Sequence, residues 1–306
     1  MHLKYGVEVR VLFNLLMNKL YLNTSIKRKR IKKRFGQQNH YLITTLVALD
    51  SFEKLEITKS EKFSTSWNPK DIPSSVKRSI KYILDSALVF IIDSLDAYLI
   101  EINKKPFLIQ DSKLKNDIDG SHRSVYEKFI SSYDNMKSED NREFSIISSI
   151  VALGIQWRNN ITHYGAHNEF DNILCKNFDN EENEKYICEN FCGLKVKEML
   201  NNFNAGNSPT FKEVTSIIRA VHKFIEMLDI YLISKLDVNK YFYEITDIYF
   251  ERGRWTQFNN LSDSRKKGII VNLLEQNGFS AHDVNGQFIE ITEDLINRIN
   301  KRYSDI

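Results

Sequence analysis

Three observations predict an all-α fold. Only 4 prolines and 11 glycines interrupt the 306 residues, so long stretches carry no local terminator. Apolar residues recur across those stretches at spacings of three and four, the period of an amphipathic helix. The hydrophobic share, 42%, is enough to bury a sizeable core, as one large domain with an appendage or as two domains.

The opening "VEVRVLFNLLMNKLYL" predicts a packing helix over about 5 to 22. Glu8, Arg10, Asn14, Asn18 and Lys19 interrupt it, so it falls short of the roughly 18 uninterrupted apolar residues of a membrane-spanning helix. No small-residue cleavage pattern follows it, and a signal peptide is not expected. A second helix is expected over about 38 to 58, and "STSWNPKDIPSS", with Trp67, reads as a linker and as the N-cap of a third. This third helix should run from about Ser75 to Asn103, with Ile80, Leu84, Leu88, Ile91, Leu95 and Leu99 on a broad apolar face and Pro106 beyond its end. Three acids interrupt it. Asp85 is expected on the solvated side, and either Asp93 or Asp96, one turn apart, is expected to look inward at a cation.

Helices follow at about 122 to 137 and 141 to 163, then an irregular, partly acidic stretch over 166 to 209 with a short helix near 193 to 203, and a long helix at about 211 to 236. The helices at 75 to 103, 122 to 137, 141 to 163 and 211 to 236 make a four-helix bundle the economical architecture. Beyond 237 an aromatic-rich segment leads to a helix at about 262 to 277 that ends at Gly278. Asn285 and Gly286 suit a tight hairpin turn, and a final helix starts at about Thr292, with Glu293 and Asp294 in its first turn. The expected organisation is therefore an N-terminal helical extension over 1–70, a helical bundle over 71–236, and a small helix-hairpin-helix module, winged-helix-like, over 237–306.

Charge is nearly balanced, 43 basic against 40 acidic residues for a net +3, and the sum does not mark a nucleic-acid binder. The distribution is more informative. Lys27, Arg28, Lys29, Arg30, Lys32, Lys33 and Arg34 put seven cations into eight positions, a run that would attract an RNA backbone and that equally suits a solvated helix end. Cys175, Cys188 and Cys192 are an odd count with no disulfide framework, which points to a reducing compartment and a cytoplasmic location.

The helix at 141 to 163 carries the candidate chemistry. Phe144, Ile147, Val151 and Gly154 lead at helical spacing to Arg158, beside a second stripe of Ile146, Ile150, Leu153, Trp157 and Ile161. An arginine closing a buried stripe must reach water, a carboxylate or a phosphate. His163 follows five residues later in "RNNITH". A guanidinium can hold a phosphate bidentately and offset charge in a transition state, and an imidazole moves protons near neutral pH.

This stretch resembles the R-x4-6-H signature of the HEPN superfamily: an arginine, a polar residue such as asparagine, three further residues, then histidine. The resemblance extends to the setting, a helical bundle over about 75 to 236. It implies a metal-independent endoribonuclease without a cofactor, in which the ribose 2′-hydroxyl attacks the adjacent phosphorus and leaves a cyclic phosphate. Arg158 and His163 would be catalytic, Asn159 and Thr162 supporting, and Asp93 or Asp96 the carboxylate near Arg158. It further implies an RNA substrate, a homodimer, an inhibitory or activating protein partner, and a role in prokaryotic defence against phage or as a toxin. Five helical residues turn through about 500°, which leaves Arg158 and His163 roughly 140° apart. Either the helix unwinds near Ile161 or two copies of the motif face each other, and the dimer is the expectation. Gly165 is expected to end the helix, the family's later tyrosine is displaced to Tyr164, and His167 and Asn168 are expected to be bystanders.

Two rivals remain. A zinc site could be drawn from His163, His167, Cys188 and Cys192, against which stand the helix break at Gly165 and the wide cysteine spacing. The other is a binding or scaffolding bundle in which Arg158 pairs with Asp93 or Asp96 and His163 caps the helix.

Overall fold

A computed structural model describes residues 11–15, 18–52, 60–64, 66, 69–119, 123–138, 141–163, 166, 168–251, 253–280, 282 and 292–304. The protein is all-α. In chain order the described elements are strands β1 (Val11–Leu15) and β2 (Asn18–Leu22), then helices α1 (Ile26–Phe52), α2 (Ile72–Glu101), α3 (Ser112–Asp119), α4 (Val125–Met136), α5 (Arg142–Thr162) and α6 (Asn172–Cys175). A 3-10 turn (Lys176–Phe178) precedes α7 (Glu181–Asn190), α8 (Val196–Asn204), α9 (Phe211–Ser234), α10 (Val238–Phe250), α11 (Arg254–Asn259) and α12 (Asp263–Gln276), and strand β3 (Phe279–Ser280) and α13 (Glu293–Tyr303) end the series. Among the described residues no helix is long and apolar enough to cross a membrane.

The chain divides into two compact units, one of Met1–Arg30, Tyr98–Arg123 and Ile225–Ile306, the other of Ile31–Ala97 and Ser124–Phe224. These are not the linear blocks expected with boundaries at 70 and 236. The physical reason is non-local pairing. In the first unit β2 pairs antiparallel with β1 and also with β3, through Tyr21↔Ser280 and Leu22↔Phe279, so the two ends of the chain share one sheet.

That sheet also corrects the helix expected over about 5 to 22, whose described residues form β1 and β2. A short apolar run satisfies a buried strand as well as a helix, Asn14 and Asn18 are weak helix formers, and the deciding partner, β3, lies far along the chain. Gly278 enters β3 with φ +100°, and a Cβ there would stand 2.3 Å from the Thr24 carbonyl oxygen. Thr292 is the N-cap residue of α13. Asn285 and Gly286 of the expected hairpin, and Trp67 of the expected linker, lie outside the described residues. The aromatic-rich segment becomes α10 and α11, where Phe250 meets Tyr303 at 4.8 Å and Phe258 at 5.1 Å between ring centroids.

The first unit also buries a carboxylate. Asp229 accepts from the Ser25 backbone N–H at 2.9 Å, the Ser25 hydroxyl at 2.5 Å and the Tyr98 hydroxyl at 3.0 Å. Ser25 in turn accepts from the Arg28 N–H at 3.0 Å and so caps the start of α1. Burial pushes the Asp229 carboxyl up, and its bonds from Ser25 pull it back.

In the second unit Phe129 of α4, Phe144 of α5 and Phe224 of α9 form one aromatic core, with centroids 4.9 Å and 5.9 Å apart, and Tyr133 stacks on Phe144 at 5.6 Å. Buried Ile31, Phe35 and Leu42 give α1 an inward stripe, and the Gln38 amide donates to the Ser94 hydroxyl at 3.0 Å. The residues of α1 from Ile31 onward thus belong to this unit. At Gly154 a Cβ would stand 2.7 Å from Ile217 Cγ2, which lets α5 approach α9 closely. In the stretch expected to be irregular from 166, α6, the 3-10 turn and α7 precede α8, which matches the short helix expected near 193 to 203. Two of these starts are fixed by single side chains, Asp171 for α6 and Asn180 for α7.

Candidate active site on the α5 helix end

Helix α5 starts where Asn141 Oδ1 accepts the Phe144 N–H at 3.1 Å, and every residue from Ile146 to Ile155 is buried. The indole N–H of buried Trp157 donates to the Asn207 carbonyl at 2.9 Å. These contacts anchor the helix up to Trp157, from which the half-buried last turn carries Arg158.

The Arg158 side chain is 20% exposed. Its Nη2 donates to Asp93 Oδ1 at 2.5 Å and its Nη1 to Asn159 Oδ1 at 3.2 Å. Its Nε is buried and has no hydrogen-bond partner among the described residues. Asn159 donates onward to Gln156 Oε1 at 3.4 Å. Asp93 therefore stands beside Arg158, whereas Asp96 forms its ion pair with buried Lys128 of α4. Asp85 departs from expectation: it is half-buried, accepts from Ser208 at 2.9 Å, and burial pushes its carboxyl up. A loop packed over α2 covers what the helix pattern alone marks as solvated.

Thr162 donates to the Arg158 carbonyl at 3.0 Å, an i−4 back-bond that gives its hydroxyl a helix-end role. The helix does not unwind near Ile161; it continues through Thr162. His163 is the C-cap, with φ −110° and ψ 106°, and its N–H donates to Asn159 O at 3.0 Å. The imidazole is exposed and leaves the helical path, so the roughly 140° offset of a continuous helix does not govern it. Tyr164, Gly165 and His167 lie outside the described residues. Cys188 and Cys192 are exposed free thiols, and among the described residues no three His, Cys, Asp or Glu side chains gather where they could hold a metal ion.

Sequence reasoning passed over two asparagines. Asn160 Oδ1 accepts from the Asn168 N–H at 2.7 Å and from its amide at 2.9 Å, while Asn160 Nδ2 donates to the Asn168 carbonyl at 3.3 Å. This clasp returns the chain to α5 just after His163, so Asn168 is a fastening and not a bystander. The signal was the tendency of asparagine to bond nearby backbone. Tyr126 of α4 places its hydroxyl against both Asp171 and Gln156, and burial together with the Asp171 charge pushes it up to about 12. A polar chain thus runs from Arg158 through Asn159, Gln156 and Tyr126 to Asp171.

The basic run is divided by helix geometry. Lys27 Nζ donates to the Glu101 carbonyl at 2.5 Å and also to the Lys104 carbonyl, Arg28 pairs with Glu226, and Arg34 sits over the Phe90 ring at 4.7 Å. Lys29, Arg30, Lys32 and Lys33 are exposed. Of the seven expected RNA contacts, Lys27 and Arg28 are therefore committed to internal partners, because an α-helix points successive side chains around its axis.

No protein-family model, no curated protein and no solved structure matches the chain.

Proposed function

We propose that the protein is a metal-independent endoribonuclease. The 2′-hydroxyl of a ribose attacks the neighbouring phosphorus, a 2′-O–P bond forms as the P–O5′ bond breaks, and the products are a 2′,3′-cyclic phosphate and a 5′-hydroxyl. Arg158 holds the phosphate and offsets charge gathering on its oxygens. His163 takes the 2′-hydroxyl proton or returns one to the departing 5′-oxygen. The exposed cations Lys32 and Lys33 of α1, in the same unit as Arg158, supply sequence-independent attraction for the strand.

One observation carries this reading. Arg158 stands at the end of a buried helix with an Nε that has no partner among the described residues, and an exposed imidazole follows where that helix stops. A buried donor without a partner is costly, and a guanidinium that turned from Asp93 onto a phosphate would gain one. Phage defence or toxin action, a homodimer and a controlling partner protein belong to the same proposal through the "RNNITH" resemblance.

The 2.5 Å Arg158–Asp93 pair favours a second reading, a binding or scaffolding bundle in which that pair is structural. Incubation with RNA, followed by detection of cyclic-phosphate and 5′-hydroxyl ends, separates the two. Arg158→Ala and His163→Ala should each lose on the order of a hundredfold in cleavage or more while keeping the wild-type circular dichroism spectrum. Equal, weak cleavage by all three proteins would sink the nuclease reading.

A further inference from the structure

A cavity of about 650 Å³ opens beside the end of α5, a volume in the range of small-ligand pockets. Asn160 of the motif helix lines it, and so does Ala166, whose N–H donates to the His163 carbonyl at 3.0 Å. Asn160 and Ala166 stand three positions before and three after His163 in the chain, so the cavity lies beside the end of α5. Its chemistry is set by Asn168, Glu169, Phe170, Asn172 and Asn204: amides that donate and accept, one carboxylate that only accepts, and one aromatic face.

The wall is held in place at both ends. Asn168 is clasped to Asn160, and Asp171 Oδ1 accepts the Ile173 N–H at 2.7 Å to start α6. Between them Phe170 stacks on Phe178, with centroids 5.7 Å apart and rings 22° from parallel. Tyr126 and Gln156 connect Asp171 to the residues around Arg158.

We propose that this cavity reads a guanine base of the RNA strand, next to the phosphate that Arg158 and His163 act on. A carboxylate accepts two hydrogen bonds side by side, and among the four bases only guanine presents two adjacent donors, N1–H and N2–H₂, on one edge. The Asn168, Asn172 and Asn204 amides can donate to the guanine O6 and N7 acceptors, and Phe170 offers a face for stacking. The proposal deepens the nuclease reading and rests on it for the identity of the strand.

Its test does not use cleavage, so it fails or succeeds separately. Arg158→Ala protein is titrated with four RNA dodecamers that are all uridine except for one central G, A, C or U, and with GMP, AMP, CMP and UMP, by calorimetry. The G dodecamer should bind about tenfold more tightly than the others or better, and Glu169→Gln in the same background should remove that preference. Glu169 is exposed, so the substitution leaves the fold intact, which a melting curve checks. Equal binding of the four dodecamers overturns the proposal, and so does a guanine preference that Glu169→Gln leaves unchanged. Preference for free GMP with none in RNA would also overturn it, by assigning the pocket to a free nucleotide.

Discussion

Gly154 and Lys27 show how single positions commit the fold. A methyl group at Gly154 would stand 2.7 Å from Ile217 Cγ2, inside contact distance, and both residues are buried, so the crowding is not relieved into solvent. Gly154→Ala should lower stability by about 1–3 kcal/mol in urea unfolding, as overpacking does, and should cost less in an Ile217→Ala background, which removes the Cγ2 methyl it meets. No loss in the single variant would refute the close approach. Lys27 predicts a pH dependence. Burial lowers its pKa from 10.5 to about 8. Between those values the unfolded chain keeps a proton that the folded chain has released, so stability rises with pH across that window. Below about 8 both states are protonated and the burial penalty is fully present. Relative to Lys27→Met, the wild type should gain on the order of 3 kcal/mol between pH 7.5 and pH 10.5; a flat difference would count against the buried ammonium. At this scale the sequence was partly legible. It named Asp93 and Asp96 as the acids near Arg158, but which of them meets the arginine depends on how α4 and α5 lie on α2, and local pattern does not encode that.

At the scale of elements, the long helices were legible because propensity and period agree along them. The structure draws α2, α5 and α9 within a few residues of expectation, as consistent local signals should give. The β1–β2 hairpin was not legible, since "VLFNL" and "NKLYL" take strand form only beside β3. Two glycines test this difference with opposite signs. Gly278 has φ +100° and a backbone oxygen 2.3 Å from where its Cβ would be, so Gly278→Ala should cost about 2–4 kcal/mol from left-handed strain and collision. Gly36 lies within α1 with nothing within 4 Å of its Cβ position, so Gly36→Ala should stabilise by about 0.5–1 kcal/mol through helix propensity. Thermal melts of the two variants should shift in opposite directions. A neutral Gly278→Ala would mean that the contact of β3 with the Thr24 segment does not form.

For the whole molecule, the remaining question is whether one chain makes a complete site. Arg158 turns to Asp93 and Asn159, while His163 leaves the end of α5 in extended backbone, exposed. Neither residue is bonded to the other among the described residues. If the arginine of one copy acts with the histidine of a second, the two point variants should rescue each other. In a mixed dimer of Arg158→Ala and His163→Ala, one composite site lacks both groups and the other keeps both. Random pairing makes half of the dimers mixed, so equal mixing should restore about a quarter of wild-type cleavage. Sites complete within one chain would give no rescue, because every chain in the mixture then lacks one group. The mixture must exchange subunits, so the proteins are co-expressed with different tags and purified through both. That selection raises the expected activity to about half of wild type. Doubly tagged protein that stays inactive, alongside an active wild type, would assign both residues to a single chain and remove the dimer from the mechanism.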